Sequence, residues 1–128
     1  MKIKKKKADF KDKWLKTFGK ELLQEHKNYN YLWEVFFFKS ENKFLCGIEA
    51  TKEFYKVDRK NAICIEMWFE EETNEYDEKY YDNELFNQEE GIIPELFVVS
   101  KDWSWTYVCC HEDDDAEHGR FFMYNEKR

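Results

Sequence analysis

Glu95-Leu-Phe-Val-Val-Ser-Lys-Asp-Trp-Ser-Trp-Thr-Tyr-Val-Cys-Cys-His-Glu-Asp-Asp-Asp-Ala-Glu-His-Gly-Arg-Phe-Phe-Met-Tyr124 is the stretch that decides the fold of this chain. Its three apolar or aromatic runs are separated by a tight polar turn at Lys101-Asp102 and then by an acidic loop. Period-2 alternation of this kind marks strands of a half-buried sheet. The expected strands are Leu96–Val99, Trp103–His111 and Arg120–Tyr124, joined as a meander. In the middle one, Trp103, Trp105, Tyr107, Cys109 and His111 share one face, and Ser104, Thr106, Val108, Cys110 and Glu112 the other.

The upstream sequence completes the sheet and supplies its helices. From Asp9, a capping residue, Phe10, Trp14, Phe18 and Leu22 recur every four residues with Leu15 beside them, the stripe of a helix that fades near His26–Asn28. Tyr31–Phe38 is apolar except at Glu34, and its aromatic and β-branched content reads as a buried strand. Ser40–Lys43 reads as a turn. A short helix is expected over 47–57, with Ala50, Phe54 and Val57 inward. A strand follows over Ala62–Phe69, with Ile63, Ile65, Met67 and Phe69 facing opposite to Ala62, Cys64, Glu66 and Trp68. Tyr76, Tyr80, Tyr81, Leu85 and Phe86 give the segment 73–87 a partial helical stripe, closed off by Gly91 and Pro94. The order is α-β-α-β-α-β-β-β, with two right-handed βαβ crossovers. The expectation is a single α+β domain over 9–128, a mixed sheet of about five strands with helices packed on it. A flexible basic tail over 1–8 precedes it.

Twelve Phe, eight Tyr and five Trp make a fifth of the 128 residues aromatic, enough for a ring-packed core without staples. Charge is divided along the chain. Residues 1–20 carry nine Lys against Asp9 and Asp12, a net of +7, and residues 21–128 carry −14, which together give the −7 of the whole. An acidic body repels phosphates, which argues against a nucleic-acid reader despite the lysine run. No apolar run approaches the roughly 18 residues of a membrane span or follows Lys2–Lys7 as a secretory leader would require. Cys46, Cys64, Cys109 and Cys110 lack metal-type spacing and read as reduced thiols of a cytosolic protein.

Several of these residues carry a family resemblance. They are Trp14 with Phe18, Leu32-Trp33, Gly47-x-Glu49-Ala50 with Phe54, and Leu96-Phe97-Val98-Val99. Trp105-Thr106-Tyr107-Val108, His111-Glu112 and Gly119-Arg120-Phe121-Phe122 complete the set. Over about residues 10–124 the chain resembles the small bacterial proteins grouped as domain-of-unknown-function family 4275. It departs from them at Cys110, where the family tends to have Thr, and at Arg120-Phe121, where it has Pro and an aromatic. The tract between Trp33 and Phe38 is also more apolar than theirs. The resemblance implies a shared fold and a cytosolic bacterial setting, and it brings no activity.

Three constellations have chemical potential. His111-Glu112-Asp113-Asp114-Asp115-Ala116-Glu117-His118 gathers five carboxylates and two imidazoles, with His111, Asp113, Asp115 and His118 as the candidate cation ligands. Its spacing matches neither an EF-hand nor a His-Glu-x-x-His zinc helix, so a solvated loop between strands is the plainer reading. Cys109 and His111 share a strand face, and a thiolate activated by imidazole is a working nucleophile design. Residues two apart on a strand stand roughly 6–7 Å apart, however, long for a hydrogen bond, and small buried cysteines are ordinary core residues. The rings of Trp103, Trp105 and Tyr107 either offer a stacking platform or cover the first helix through Trp14 and Phe18. No glycine-rich phosphate loop or nucleophile elbow occurs, and no cofactor is implied.

The remaining feature is the belt at Glu70–Glu90, with ten Asp/Glu and only Lys79 opposing. Together with the 112–117 loop it forms a surface suited to steering a basic partner. The reading is a non-catalytic binding protein that meets a basic protein through Glu70, Glu71, Glu72, Glu75, Asp77, Glu78, Asp113, Asp114 and Asp115, as immunity proteins meet basic toxins. A small hydrolase using His111, Glu112 and nearby carboxylates is the alternative. A third reading is a ligand pocket lined by Trp33, Trp68 and Trp105. The lysine tail is expected to stay solvated, to bind anionic surfaces weakly, or to dock on the belt of a second copy.

Overall fold

The computed structural model describes residues 3–24, 32–67, 72–76, 95–110 and 119–125. In chain order its elements begin with β1 (Ile3–Lys6), α1 (Lys7–Phe18), α2 (Lys20–Gln24) and 3₁₀ helices at Leu32–Phe37 and Glu41–Lys43. They continue with β2 (Leu45–Cys46), α3 (Gly47–Phe54), β3 (Ile63–Met67), β4 (Glu72–Tyr76), β5 (Glu95–Val99), β6 (Trp105–Cys109) and β7 (Arg120–Tyr124). The class is α+β. Five strands of five residues, β3 to β7, make the body of the sheet. The short strands β1 and β2 close its edges, in the order β1-β4-β3-β5-β6-β7-β2.

Every pairing among the described residues is antiparallel, so the sheet is not mixed and the expected βαβ crossovers are absent there. Two segments account for the difference. The apolar run expected as a strand at Tyr31–Phe38 is a 3₁₀ helix from Leu32, with Leu32, Trp33, Val35 and Phe36 all buried. Its i and i+3 side chains eclipse, which lines Trp33 up with Phe36 and Leu32 with Val35 against the core. Phe36 stacks on Phe121 at 4.5 Å between centroids. The segment expected as a helix over 73–87 begins as β4, hydrogen-bonded to β1 on one side and β3 on the other. The rest of that segment, 77–87, lies outside the described residues.

The meander β5-β6-β7 is present, and Ile63, Ile65 and Met67 face opposite to Ala62 and Cys64 as expected; Trp68 and Phe69 lie outside the described residues. Ile65, Met67, Phe97, Val99, Val108 and Met123 face α1 and α2, while Cys64, Leu96, Val98, Trp105, Tyr107 and Phe122 face α3. Because both faces are covered, β6 is buried at all five positions.

α1 forms where its four-residue stripe predicts. It breaks at Gly19, where an added Cβ would lie 2.9 Å from Leu15 Cδ2 and 3.2 Å from Trp14 Cζ3. The helix therefore does not run on to 26–28 as one piece, and α2 starts after this close approach. α2 is tied to the end of the Leu32–Phe37 helix by Lys39, whose ammonium lies 2.8 and 2.9 Å from the Glu21 carboxylate oxygens and whose side chain is 3% exposed. The Glu21 side chain is 24% exposed, so it is loss of the carboxylate that would leave an enclosed charge, the Lys39 ammonium, without its partner.

One buried polar contact fixes α1 on the sheet. Trp14 Nε1 donates to Thr106 Oγ1 at 3.1 Å, and Thr106 Oγ1 donates in turn to the Val98 carbonyl at 2.9 Å. Both side chains are fully buried. Phe97 meets the Trp14 ring edge-on at 5.2 Å.

Within the span expected as a flexible tail, residues 3–6 are a strand and residues 7–8 open α1. Ile3–Lys6 pair with β4 in the register Ile3↔Glu75, Lys4↔Asn74, Lys5↔Thr73 and Lys6↔Glu72. Lysines on a sheet's outermost strand discourage pairing with another molecule.

Replacing Thr106 with Val keeps its shape but leaves the Trp14 indole N–H buried without this acceptor. The expected loss is about 1–3 kcal/mol, read as a lower urea midpoint at unchanged slope. A shift under about 0.5 kcal/mol would show that the contact does not anchor the helix.

Candidate functional site

Of the residues expected to meet a partner, Glu72 and Glu75 are described, and both lie on β4. Glu75 is half-buried and stands between Ile3 of β1 and Ile65 of β3 in register. Glu70, Glu71, Asp77, Glu78, Asp113, Asp114 and Asp115 lie outside the described residues. So do His111, Glu112 and His118, the remaining members of the 111–118 constellation. Among the described residues no group of three or more His, Cys, Asp or Glu side chains is placed to hold a metal ion.

Cys109 is buried beneath α3, and its described neighbour is a residue that the sequence reading passed over. Arg120 Nη1 donates to Cys109 Sγ at 3.1 Å and to the Tyr107 hydroxyl at 3.1 Å. That hydroxyl also shares a hydrogen bond of 2.8 Å with Thr51 Oγ1 of α3. The register Cys109↔Arg120 across the β6–β7 hairpin puts the two side by side. Pairing the strands symmetrically about the acidic loop is the sequence signal that would have found it. Phe54 stacks on the Tyr107 ring at 4.1 Å and Tyr124 donates to Glu53 Oε2 at 3.0 Å, so α3 is held by both rings and hydrogen bonds. Burial pushes the Tyr107 phenol above its ordinary value of 10.0. The Cys109 sulfur adds to the rise, and the Arg120 guanidinium opposes it.

The aromatic residues do not form one platform or one pocket. Trp103 has φ 59°, a left-handed backbone that turns its ring toward α1, where it stacks on Phe18 at 6.1 Å and lies beneath Lys13 Nζ at 4.5 Å. Trp105 and Tyr107 face α3 on the other side of the sheet. The expected cover of α1 by these rings is therefore made by Trp103 alone. Trp33 is buried on the α1 side and Trp105 on the α3 side, so they do not line a common cavity; Trp68 is outside the described residues.

The turn that produces this crossover is tightly bonded. Ser100 Oγ accepts from the Ser104 and Trp105 amides at 2.8 and 3.2 Å, and Asp102 Oδ1 accepts from Ser100 Oγ at 2.9 Å and the Ser104 amide at 3.1 Å. Hydrogen bonds from Ser104 and then Ser100 hold the Asp102 carboxyl below its ordinary value. The described surface has an open apolar depression of about 450 Å³ on α3, lined by Ile48, Thr51, Lys52, Tyr55 and Lys56.

No family model, curated protein or solved structure matches the chain. No described helix is long and apolar enough to cross a membrane.

A phenol whose folded value exceeds its unfolded one stabilises the protein fully below the unfolded value, and that contribution erodes as pH rises beyond it. Tyr107→Phe should cost about 1 kcal/mol at pH 8, where it removes only the hydroxyl's hydrogen bonds. The gap between wild type and variant should shrink above about pH 10, measured as urea midpoints across the alkaline range. A gap that stays constant would mean that Tyr107 ionises as freely in the folded chain as in the unfolded one.

Proposed function

We propose that this chain is a non-catalytic binding module whose acidic surface engages a basic partner protein, in a cytosolic setting. The observation that carries the reading is the β1–β4 pairing. The described part of the acidic belt lies next to the edge of the sheet, and it already accepts a lysine-rich segment of its own chain. Beyond residue 20 the body carries a net charge of −14, which favours encounter with a basic surface from a distance and weakens sharply with salt. Blocking of a basic toxin by an immunity protein is one form such binding takes, and here it is an analogy of charge alone. Membership of domain-of-unknown-function family 4275 is proposed with it, on the residue pattern over 10–124.

Titration of the full chain with a folded basic protein, and with a folded acidic protein of similar size as control, tests the reading. Binding of the basic probe alone is expected, with at least about tenfold loss between low salt and physiological salt, as the Debye length falls from about 30 Å to about 8 Å. Equal binding of both probes, or no binding of the basic one at low salt, would overturn it.

A further inference from the structure

We infer that the edge of β4 is a strand-acceptor site for an extended, lysine-rich segment of a partner protein, and that residues 3–6 are a resident strap which this segment displaces. The inference rests on the proposed engagement of a basic partner and names the form in which that partner binds.

A strand added to a sheet edge gains affinity from backbone hydrogen bonds and specificity from what stands at alternate positions. The β4 edge shows both features with its own occupant. Ile3–Lys6 pair antiparallel along Glu72–Glu75, and three of those four positions are lysine. Lys6 stands in register with Glu72 at one end, and Ile3 with Glu75 at the other. An extended segment with a lysine at most positions is the occupant that this edge has.

The strap is also separable from the core. The first buried side chain of α1 is Phe10, while Ala8 and Asp9 between it and the strap are exposed. Trp14 and Phe18, with the Trp14–Thr106 contact, hold the helix independently of β1. β4 keeps its pairing to β3 through Cys64↔Tyr76, Ile65↔Glu75 and Glu66↔Asn74, so the acceptor remains a strand when the strap departs. A second copy donating its own residues 3–6 would use the same edge. A separate partner is favoured because the short link from β1 to Phe10 leaves little reach toward another molecule.

The experiment uses the unmodified full chain and two synthetic peptides of the sequence Lys-Ile-Lys-Lys-Lys-Lys. One is plain, and the other is methylated on alternate backbone nitrogens so that its charge is kept and its donors are lost. The plain peptide should bind at least about tenfold more tightly than the methylated one, the scale of a few lost backbone hydrogen bonds. At saturation, hydrogen exchange should speed up at residues 3–6 and stay slow at 72–76 and 95–99. Equal affinity of the two peptides, or unchanged protection of residues 3–6, overturns strand exchange. Appearance of a dimer on peptide addition overturns it in favour of exchange between copies. If the folded basic protein binds while the peptides fail to discriminate, the acidic-surface reading survives alone. If nothing basic binds, both readings fall.

Discussion

The hydrogen-bonded relay from Trp14 through Thr106 to the Val98 carbonyl sets the position of everything around it. An apolar helix face on an apolar sheet has little to fix its register, since burial is proportional to area and is not directional. A buried indole N–H must find an acceptor, and Thr106 supplies it at the centre of the sheet. From Trp14 about 10 Å of helix leads back to Lys7. β1 ends at the residue before, without a loop. β1 lies beside β4, four strand positions from β6, so its pairing there is a constraint of its own.

Covering the sheet on both faces has a consequence for charge. Phe54 over Tyr107 on one face and Trp14 over Phe97 on the other leave the central strands no exposed side. The polar residues of an acidic chain are then confined to sheet edges, helix exteriors and connections. Several of the polar groups that do enter are tied down. Tyr107 and Cys109 are bonded to Arg120, and Lys39 is enclosed with Glu21. The Arg120 network accounts for a buried cysteine beside a guanidinium as part of the clamp between α3 and the β6–β7 hairpin, which also includes Thr51 and Glu53.

Local pattern and non-local pairing divide what the sequence made legible. The four-residue recurrence of Phe10, Trp14 and Phe18 and the alternation through β3, β5, β6 and β7 are period signals, and the elements they imply are present. The run at Tyr31–Phe38 has no period, because every position but one is apolar. Such a run suits a buried strand or a buried helical turn equally well, and only the space beside Trp14 and Phe121 decides. β4 is harder still. Glu72-Thr-Asn-Glu-Tyr76 has weak propensity of its own and is a strand because β1 and β3 hold it on both sides. Trp103 obeys alternation on paper but sits at φ 59° in a turn braced by Ser100 and Asp102, which sends it to the opposite face from Trp105. The candidate site was legible as charge in sequence, through the belt and the lysine run. Their meeting on one edge depends on a pairing about seventy residues apart in the chain.

That pairing is poised by its own chemistry. Ordering four residues costs about 1–2 kcal/mol each in backbone entropy, and each net hydrogen bond returns about 0.5–1.5 kcal/mol. The strand has one apolar residue among three lysines, so these backbone terms leave a balance near zero. An edge strand of valine and isoleucine would be permanent, and once displaced it would be a template for aggregation. A lysine-rich edge strand on an acidic body avoids that hazard, because its charge opposes pairing with further copies. The same composition that made residues 1–8 read as a solvated tail thus makes β1 a strand that can be held and released without disturbing the core behind it.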